Sequence, residues 1–431
     1  MNSLADIAAA LQGYDPKALS ADTVGRFLHA MVTTPEQTEE VGVFDALGRV
    51  LAQDVISPLS VPPHDNSAMD GYAFSSDQLR NDTDLTLTSV ATVMAGKAWR
   101  GEVKGGQCVR IMTGAIMPDG LDTVAPQEFC QVQGMQVTIP KGVLKSGDNR
   151  RLLGEDLMQG QAALKRGQIL GPASLGLIAS LGLAKIRVFV RVKVAYFSTG
   201  DEILSLGQAP REGAVYDSNR YTVFGLLQRL GCEVIDMGVV RDRPEELEAA
   251  FIQAAVKADA IITSGGVSVG EADHTKAMMK KLGDVAFWRI AMRPGRPMAV
   301  GRLDRARLPQ PAKGQAILFG LPGNPVAVMV TFLAFVRPAL LRMMGALSEP
   351  IPLLQAQSVQ KLRKKPGRTE YQRGKVSRAE NGTLQVSAIG NQGSGVLSSM
   401  VQANGLIVLH HEQGDINPGD TVDVMMFDGL I

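Results

Sequence analysis

Between Lys193 and Gly345 the chain repeats one unit: an apolar strand, a polar loop and an amphipathic helix. "VKVAYFSTGDEI" is a strand that ends in a Ser-Thr-Gly-Asp-Glu loop. In "SNRYTVFGLLQRLG", Val223, Leu226, Leu227 and Leu230 recur at helical spacing, with Ser218 placed to cap the start and Gly231 to stop the end. "CEVIDMGVV" is the next strand, and "RPEELEAAFIQAAV" sets Pro244, Glu245 and Glu246 in a first helical turn, where the helix dipole favours acids. "ADAIITSGG" reads as a third strand, "DHTKAMMKKLG" as a helix, and "AILFGLPGNPVAVMVTFLAFV" as strand, loop and helix. Strands this apolar are covered on both faces, so the pattern predicts a doubly wound α/β domain around a parallel sheet. Such sheets bind ligands beyond the carboxyl ends of their strands.

The flanks lack this alternation. Residues 61–150 carry short alternating runs such as "GQCVRIMTGA" and "GMQVTIP" and read as a β-rich module. Residues 347–431 read similarly, with "GRTEYQRGKVSRAENGTLQVSAIG" a hairpin turning at Asn381-Gly382. Residues 1–60 are helical in pattern, Ser20 to Met31 being one helix, and 151–191 mix a helix around Ser174 to Leu181 with an alternating strand. We expect 1–60 and 151–191 to come together as a discontinuous linker domain with 61–150 inserted, followed by an α/β domain over 192–346. At roughly 150 residues per domain, the length gives about three domains, and the pattern divides it into four pieces.

Composition narrows the function classes. A formal net charge of +1 with interspersed signs implies no domain-sized basic surface, which argues against nucleic acid. Cys108, Cys130 and Cys232 show no metal or disulfide spacing and fit a reducing, cytoplasmic setting. His29, His64, His274, His410 and His411 form no HxxxH or HExxH arrangement. "MNSLADIAAALQGYD" has no basic leader region and reads as a helix start. Gly314 to Val336 is uncharged, but Gly320, Pro322, Gly323, Asn324 and Pro325 interrupt it, so no membrane span is expected.

Four loops follow strands of the predicted sheet: "STGDE", "RDRP", "TSGGVSVGEAD" and "GLPGNP". They would gather Glu202, Asp242 and Asp273 along one edge, where carboxylates suit a hard cation such as Mg²⁺ sharing substrate phosphate oxygens. Ser264, Gly265 and Gly266 offer backbone N–H groups to an oxyanion. Singly, each residue has a plainer reading: Asp242 and Asp273 as helix caps, the glycines as a tight turn, Glu202 as an exposed loop acid. Their joint placement after successive strands favours a site. In "FWRIAMRPGRPMAVG", Arg289, Arg293 and Arg296 lie where Pro294, Gly295 and Pro297 fix the backbone, which suits a tetrahedral oxyanion better than a solvated basic loop. Asp70-Gly71 and Thr113-Gly114 read as turns from their chemistry alone.

The order of "SAMDGYA", "RIMTGA", "GEDL", "STGDEI", "TSGGVSVGEADHTK", "MRPGRP", "GLPGNPV" and "GRTEYQRG" resembles the MoeA family of molybdopterin molybdenumtransferases and is similar to the E domain of gephyrin. The resemblance runs essentially from end to end. It implies a central domain like the molybdopterin adenylyltransferases (MogA-like), a barrel-like C-terminal β domain, and a homodimer whose cleft lies between the central domain and the partner's insertion. It also implies insertion of molybdate into adenylylated molybdopterin with release of AMP, assisted by Mg²⁺, in the cytoplasm. By matching motifs, Glu202, Asp242 and Asp273 would line the cleft and hold Mg²⁺ or the pterin phosphate, and Glu271 would be a bystander. Asp70 and Thr113 would enter from the other protomer, supported by Asp156. Pro322 and Pro325 would shape the loop beside the nucleotide, and Arg368 with Ser394 would reach the rim. Partner proteins implied are a molybdopterin adenylyltransferase and the molybdoenzymes that receive the cofactor.

One departure stands out. Where the family commonly has a "KPGKP" type of run, this chain has Arg289, Arg293 and Arg296, keeping the charge but replacing a compact ammonium with a fork. Two other readings compete: an adenylyltransferase that consumes ATP, and a non-catalytic scaffold of the gephyrin kind.

Overall fold

The computed structural model describes residues 3–11, 14–80, 82–265, 279–347 and 350–430. The helix expected at "DHTKAMMKKLG" and the residues Gly266 and Asp273 lie outside the described residues for the most part or entirely.

The alternating centre builds a six-stranded sheet from β1 (Lys193–Thr199), β2 (Glu233–Val240), β3 (Ala260–Ser264), β4 (Gly283–Arg289), β5 (Pro297–Asp304) and β6 (Gln315–Leu321), in the order β2-β1-β3-β6-β5-β4. The four strands β2, β1, β3 and β6 are parallel, whereas β5 runs antiparallel to β6 and β4 antiparallel to β5. This corrects the purely parallel expectation. A link as short as 290–296 cannot make a parallel crossover, so β4 and β5 pair antiparallel.

Side chains alternate between two cores, as strand geometry requires. Tyr196, Ile262, Phe319 and Val300 pack with Leu227, Phe332 and Phe27 on one face, and Phe197, Ile261 and Leu318 with Phe251 and Ala254 on the other. The helix Ser218–Leu230 ends at Gly231, whose φ of 87° is the left-handed stop expected there. Its cap is Asp217 and not Ser218: the Asp217 carboxylate accepts the Arg220 N–H, and Ser218 is already helical. Pro244 opens the helix Pro244–Lys257. The run Pro325–Met343 is apolar and long enough to cross a membrane, yet Val326, Val328, Leu333 and Val336 are wholly buried in the core. A π-helical stretch at Phe332–Val336 precedes Pro338, which has no N–H to give the carbonyl four residues back that a regular α-helix would pair.

The helices Leu4–Ala10 and Ala21–Met31 also join this core. Phe27 meets Trp288 edge-on at 4.8 Å, and Asp284 accepts the Leu4 N–H at 2.8 Å. They therefore pack on the central sheet, not with 151–191 as the sequence suggested, because an amphipathic stripe shows that a face is buried but not against what. A separate core forms where Thr38–Gly42 pairs with Lys185–Phe189 and Leu51, Leu164, Ile178 and Val188 meet. From it the chain leaves through Asn66–Ser67 and returns through the paired Arg150–Arg151, enclosing a six-stranded insertion sheet.

At the C-terminus, β7 (Leu354–Ser358), β8 (Thr369–Arg378), β9 (Leu384–Ala388), β10 (Gly405–Leu409) and β11 (Thr421–Met426) close a five-stranded barrel in the order β8-β9-β7-β11-β10 and back to β8. The expected hairpin turns at Gly382, with a φ of 85°.

Candidate functional site

Register aligns the strand ends. Ser198 pairs with Ser264, Ser264 with Leu321, and Thr199 with Val240, so the loops that follow start level with one another. The Gly265 turn closes against β1: at its φ of 90°, an added Cβ would lie 2.4 Å from the Thr199 carbonyl. That close approach admits only glycine. Above these ends lies a cleft of about 850 Å³ lined by Glu202, Asp242, Gly265 and Pro322, and by Arg293, Arg296, Arg368 and Ser394.

Strand order gives the cleft a direction. Glu202 and Asp242 follow β1 and β2 at one side, and the arginine turn links β4 and β5 at the other. With strands spaced roughly 4.8 Å apart, the three steps from β1 to β5 separate the two by about 14 Å. The turns after β3 and β6 lie between.

The arginine end is braced on both sides. Gly295, at a φ of 100°, sits so close to the helix beginning at Pro325 that a Cβ would come within 2.5 Å of Thr331 Cγ2. Met292–Arg293 adds in parallel to Thr369–Glu370 of the barrel. Ser394 Oγ accepts from Asn324 Nδ2 at 3.0 Å, and its carbonyl accepts the Val326 N–H. Arg373, buried within the barrel, donates to the carbonyls of Asn391 and Gly393 and to Ser399 Oγ, which fixes the loop carrying Ser394. Arg368 donates to the buried Glu370 at 2.7 Å, so its charge is shared. Arg293 and Arg296 have no carboxylate partner among the described residues. They are the charges best placed to meet an anion.

Three family descriptions match consecutive stretches: "MoeA N-terminal region (domain I and II)" over 19–182, "Probable molybdopterin binding domain" over 195–342, and "MoeA C-terminal region (domain IV)" over 355–427. The chain is also 42% identical to the molybdopterin molybdenumtransferase of Haemophilus influenzae, across 92% of this chain and 96% of that relative. The chain belongs to the MoeA family. The Nostoc molybdopterin molybdenumtransferase is 35% identical over 96% of this chain and 95% of its own length. The MoeA structure from Pyrococcus horikoshii superposes with a TM-score of 0.73 at 29% identity, covering 95% of this chain and 99% of that one.

Not every site residue expected from the sequence of this MoeA chain reaches the cleft. Arg289 ends β4 and does not line it, and Pro325 is the first residue of its helix, behind the lining. Ser264 is buried beneath the floor. Asp156 lies in the returning linker, where its N–H donates to the Val61 carbonyl. Asp70 and Thr113 stand exposed on the insertion and are bonded to each other: Asp70 Oδ1 accepts from Thr113 N and Oγ1, each at 2.7 Å. Those two bonds, the backbone one foremost, hold the Asp70 carboxyl below the usual carboxylate range.

For a metal, the described residues of this MoeA chain contain no group of three His, Cys, Asp or Glu side chains close enough to share an ion. Glu202 and Asp242 nevertheless line one cleft. Two carboxylates completed by waters and substrate phosphates suit Mg²⁺, which seldom takes an all-protein cage. Asn324, Gln392 and Gly393 also line the cleft and were not singled out from sequence. The Gly- and Ser-punctuated "NQGSG" and the "GLPGNP" loop were the available signals.

Proposed function

We propose that this chain is a transferase of molybdenum cofactor biosynthesis, a molybdopterin molybdenumtransferase. It takes adenylylated molybdopterin, places molybdenum from molybdate at the dithiolene and releases AMP. The observation that carries this reading is the directional cleft, acids at one end and, at the other, arginines with no carboxylate partner among the described residues, in a chain of the MoeA family. An elongated substrate with a phosphate-bridged nucleotide and an incoming oxyanion makes both demands at once. Glu202 and Asp242 would hold Mg²⁺, which when bound neutralises phosphate charge. The turns at Gly265 and Pro322 receive the phosphates, and Arg293 and Arg296 orient the oxyanion by charge-assisted bonds.

The reading includes a homodimer. Asp70 and Thr113 are exposed away from their own cleft, which fits service to a partner's. Phe44 is 99% exposed, and Leu206, Tyr216 and Phe224 are also exposed, a display of large apolar groups that a subunit contact would cover.

Purified protein given adenylylated molybdopterin, Mg²⁺ and molybdate should release AMP, and omission of molybdate should slow that release. Consumption of ATP with molybdopterin and no molybdate would instead identify an adenylyltransferase.

A further inference from the structure

A polar network lies under the cleft floor, and none of the roles above uses it. The Tyr196 hydroxyl is 2.9 Å from Ser198 Oγ and 2.7 Å from Ser264 Oγ. Ser198 Oγ donates to Asp217 Oδ1 at 2.9 Å. Asn219 Nδ2 donates to the Gly323 carbonyl at 2.7 Å and reaches Ser264 Oγ at 3.4 Å. All five side chains are buried, Asn219 being the most exposed at 8%. Burial also pushes the Tyr196 phenol well above its usual range, so it stays a neutral donor.

What this network joins is specific. Ser198 precedes Thr199 at the end of β1, Ser264 precedes Gly265 at the end of β3, and Gly323 belongs to the loop after β6. Thr199, Gly265 and Gly323 all line the cleft. Asp217 and Asn219 come from one helix start and so tie three strand ends to a single rigid element.

The network is a poor stabiliser. Asp217 Oδ2, Asn219 Oδ1 and Thr199 Oγ1 are buried with no partner among the described residues. Apolar side chains of the same size would avoid that cost. Alignment of the three turns is what polar groups supply here and apolar ones would not.

We propose that Asn219 is a positioning residue for the anion-binding floor. Acting through the Gly323 carbonyl and Ser264, it holds the Pro322–Asn324 turn and the Gly265 turn at one separation, so that both meet the same anionic group of the substrate. It does not itself line the cleft. The inference rests on the reading of the cleft given above.

The test compares the unaltered protein with Asn219→Ala and the near-isosteric Asn219→Leu. Two quantities are measured: KM against kcat for AMP release from adenylylated molybdopterin, and amide hydrogen exchange over 320–326. Loss of the Asn219 bonds should raise KM about tenfold with kcat within about twofold. Exchange over 320–326 should accelerate while barrel peptides keep their rates. A merely structural asparagine would lower the unfolding temperature and leave the KM of the folded fraction unchanged. Unchanged KM or unchanged exchange in a folded variant overturns the proposal, as does failure of both variants to fold. If the unaltered protein releases no AMP, the proposed function fails, and the exchange measurement alone still decides the role of Asn219.

Discussion

At the arginine end of the cleft, backbone is held from two sides, by the helix beginning at Pro325 and by the C-terminal barrel. At the other end, Glu202 and Asp242 stand exposed on the loops after β1 and β2, with the Glu202 carbonyl accepting the Val215 N–H where Ile203–Leu204 pairs with Val215–Tyr216. The first arrangement is built before any ligand arrives. On the proposed function, the second would take a cation between its two exposed carboxylates. The difference suggests a division of labour in which the arginine end selects the ligand and the acid end responds to it.

The sharpest attempt to break this contrast is at the acid end. Glu202→Ala, and separately Asp242→Ala, should slow AMP release by about 10²–10³-fold, the range for loss of one pre-placed electrostatic group at a reacting centre. A rate within twofold of the unaltered protein would reduce Glu202 to a solvated loop acid. A second test asks whether one chain completes the acid end. Asp70→Ala and Glu202→Ala proteins should each be slowed by about 10²-fold or more, and a re-equilibrated equal mixture should recover about a quarter of the activity, since half the dimers would carry one intact cleft. No recovery would place Asp70 outside a shared site.

At the arginine end the expected effect is smaller. Arg296→Ala should raise the KM for molybdate about tenfold, and Arg296→Lys should recover part of it, because charge returns without the fork. Equal behaviour of the Ala and Lys variants would show that geometry, not charge, does the selecting. The smallest effect concerns Asp70. Its carboxyl should titrate by NMR below an ordinary aspartate, and Thr113→Val, which removes the side-chain bond and keeps the backbone one, should return it part of the way. A lowered folded value means the Asp70–Thr113 contact contributes above the ordinary value and is lost as pH falls through the folded one. Between neutrality and mild acid, Asp70 should therefore impose no pH dependence on activity.

Much of the centre was legible because its signals are local. Gly231 stops its helix by conformation, Pro244 starts one by its fixed φ, and the strand-end loops carry their acids and glycines within a few residues. The rest depended on contacts between distant segments. Nothing local distinguishes Arg289 from Arg293 and Arg296, yet one ends an edge strand while the others line the cleft. The antiparallel β4–β5 pair was hidden because its connection is not a tight turn but an excursion to the barrel. Nothing local marks Asp217 and Asn219, on either side of the expected cap Ser218, as more than the start of a helix. Their reach to Ser198 and Gly323 exists only once the sheet has formed.

The pairing of Met292–Arg293 with Thr369–Glu370 has a consequence for anyone recombining these proteins. The arginine turn is encoded between two strands of the central sheet, yet part of its hydrogen bonding goes to the barrel, where the Thr369 N–H donates to the Ala291 carbonyl; the rest closes the turn on itself, from the Ile290 N–H to the Arg296 carbonyl, or runs from the Ala291 N–H to the Leu19 carbonyl. A chimaera cut at the apparent boundary near Leu347 would exchange the barrel and strand the turn against a foreign edge. A barrel exchange therefore has to be matched to the short segment 290–296, even though β5, β6 and the long apolar helix separate them along the chain.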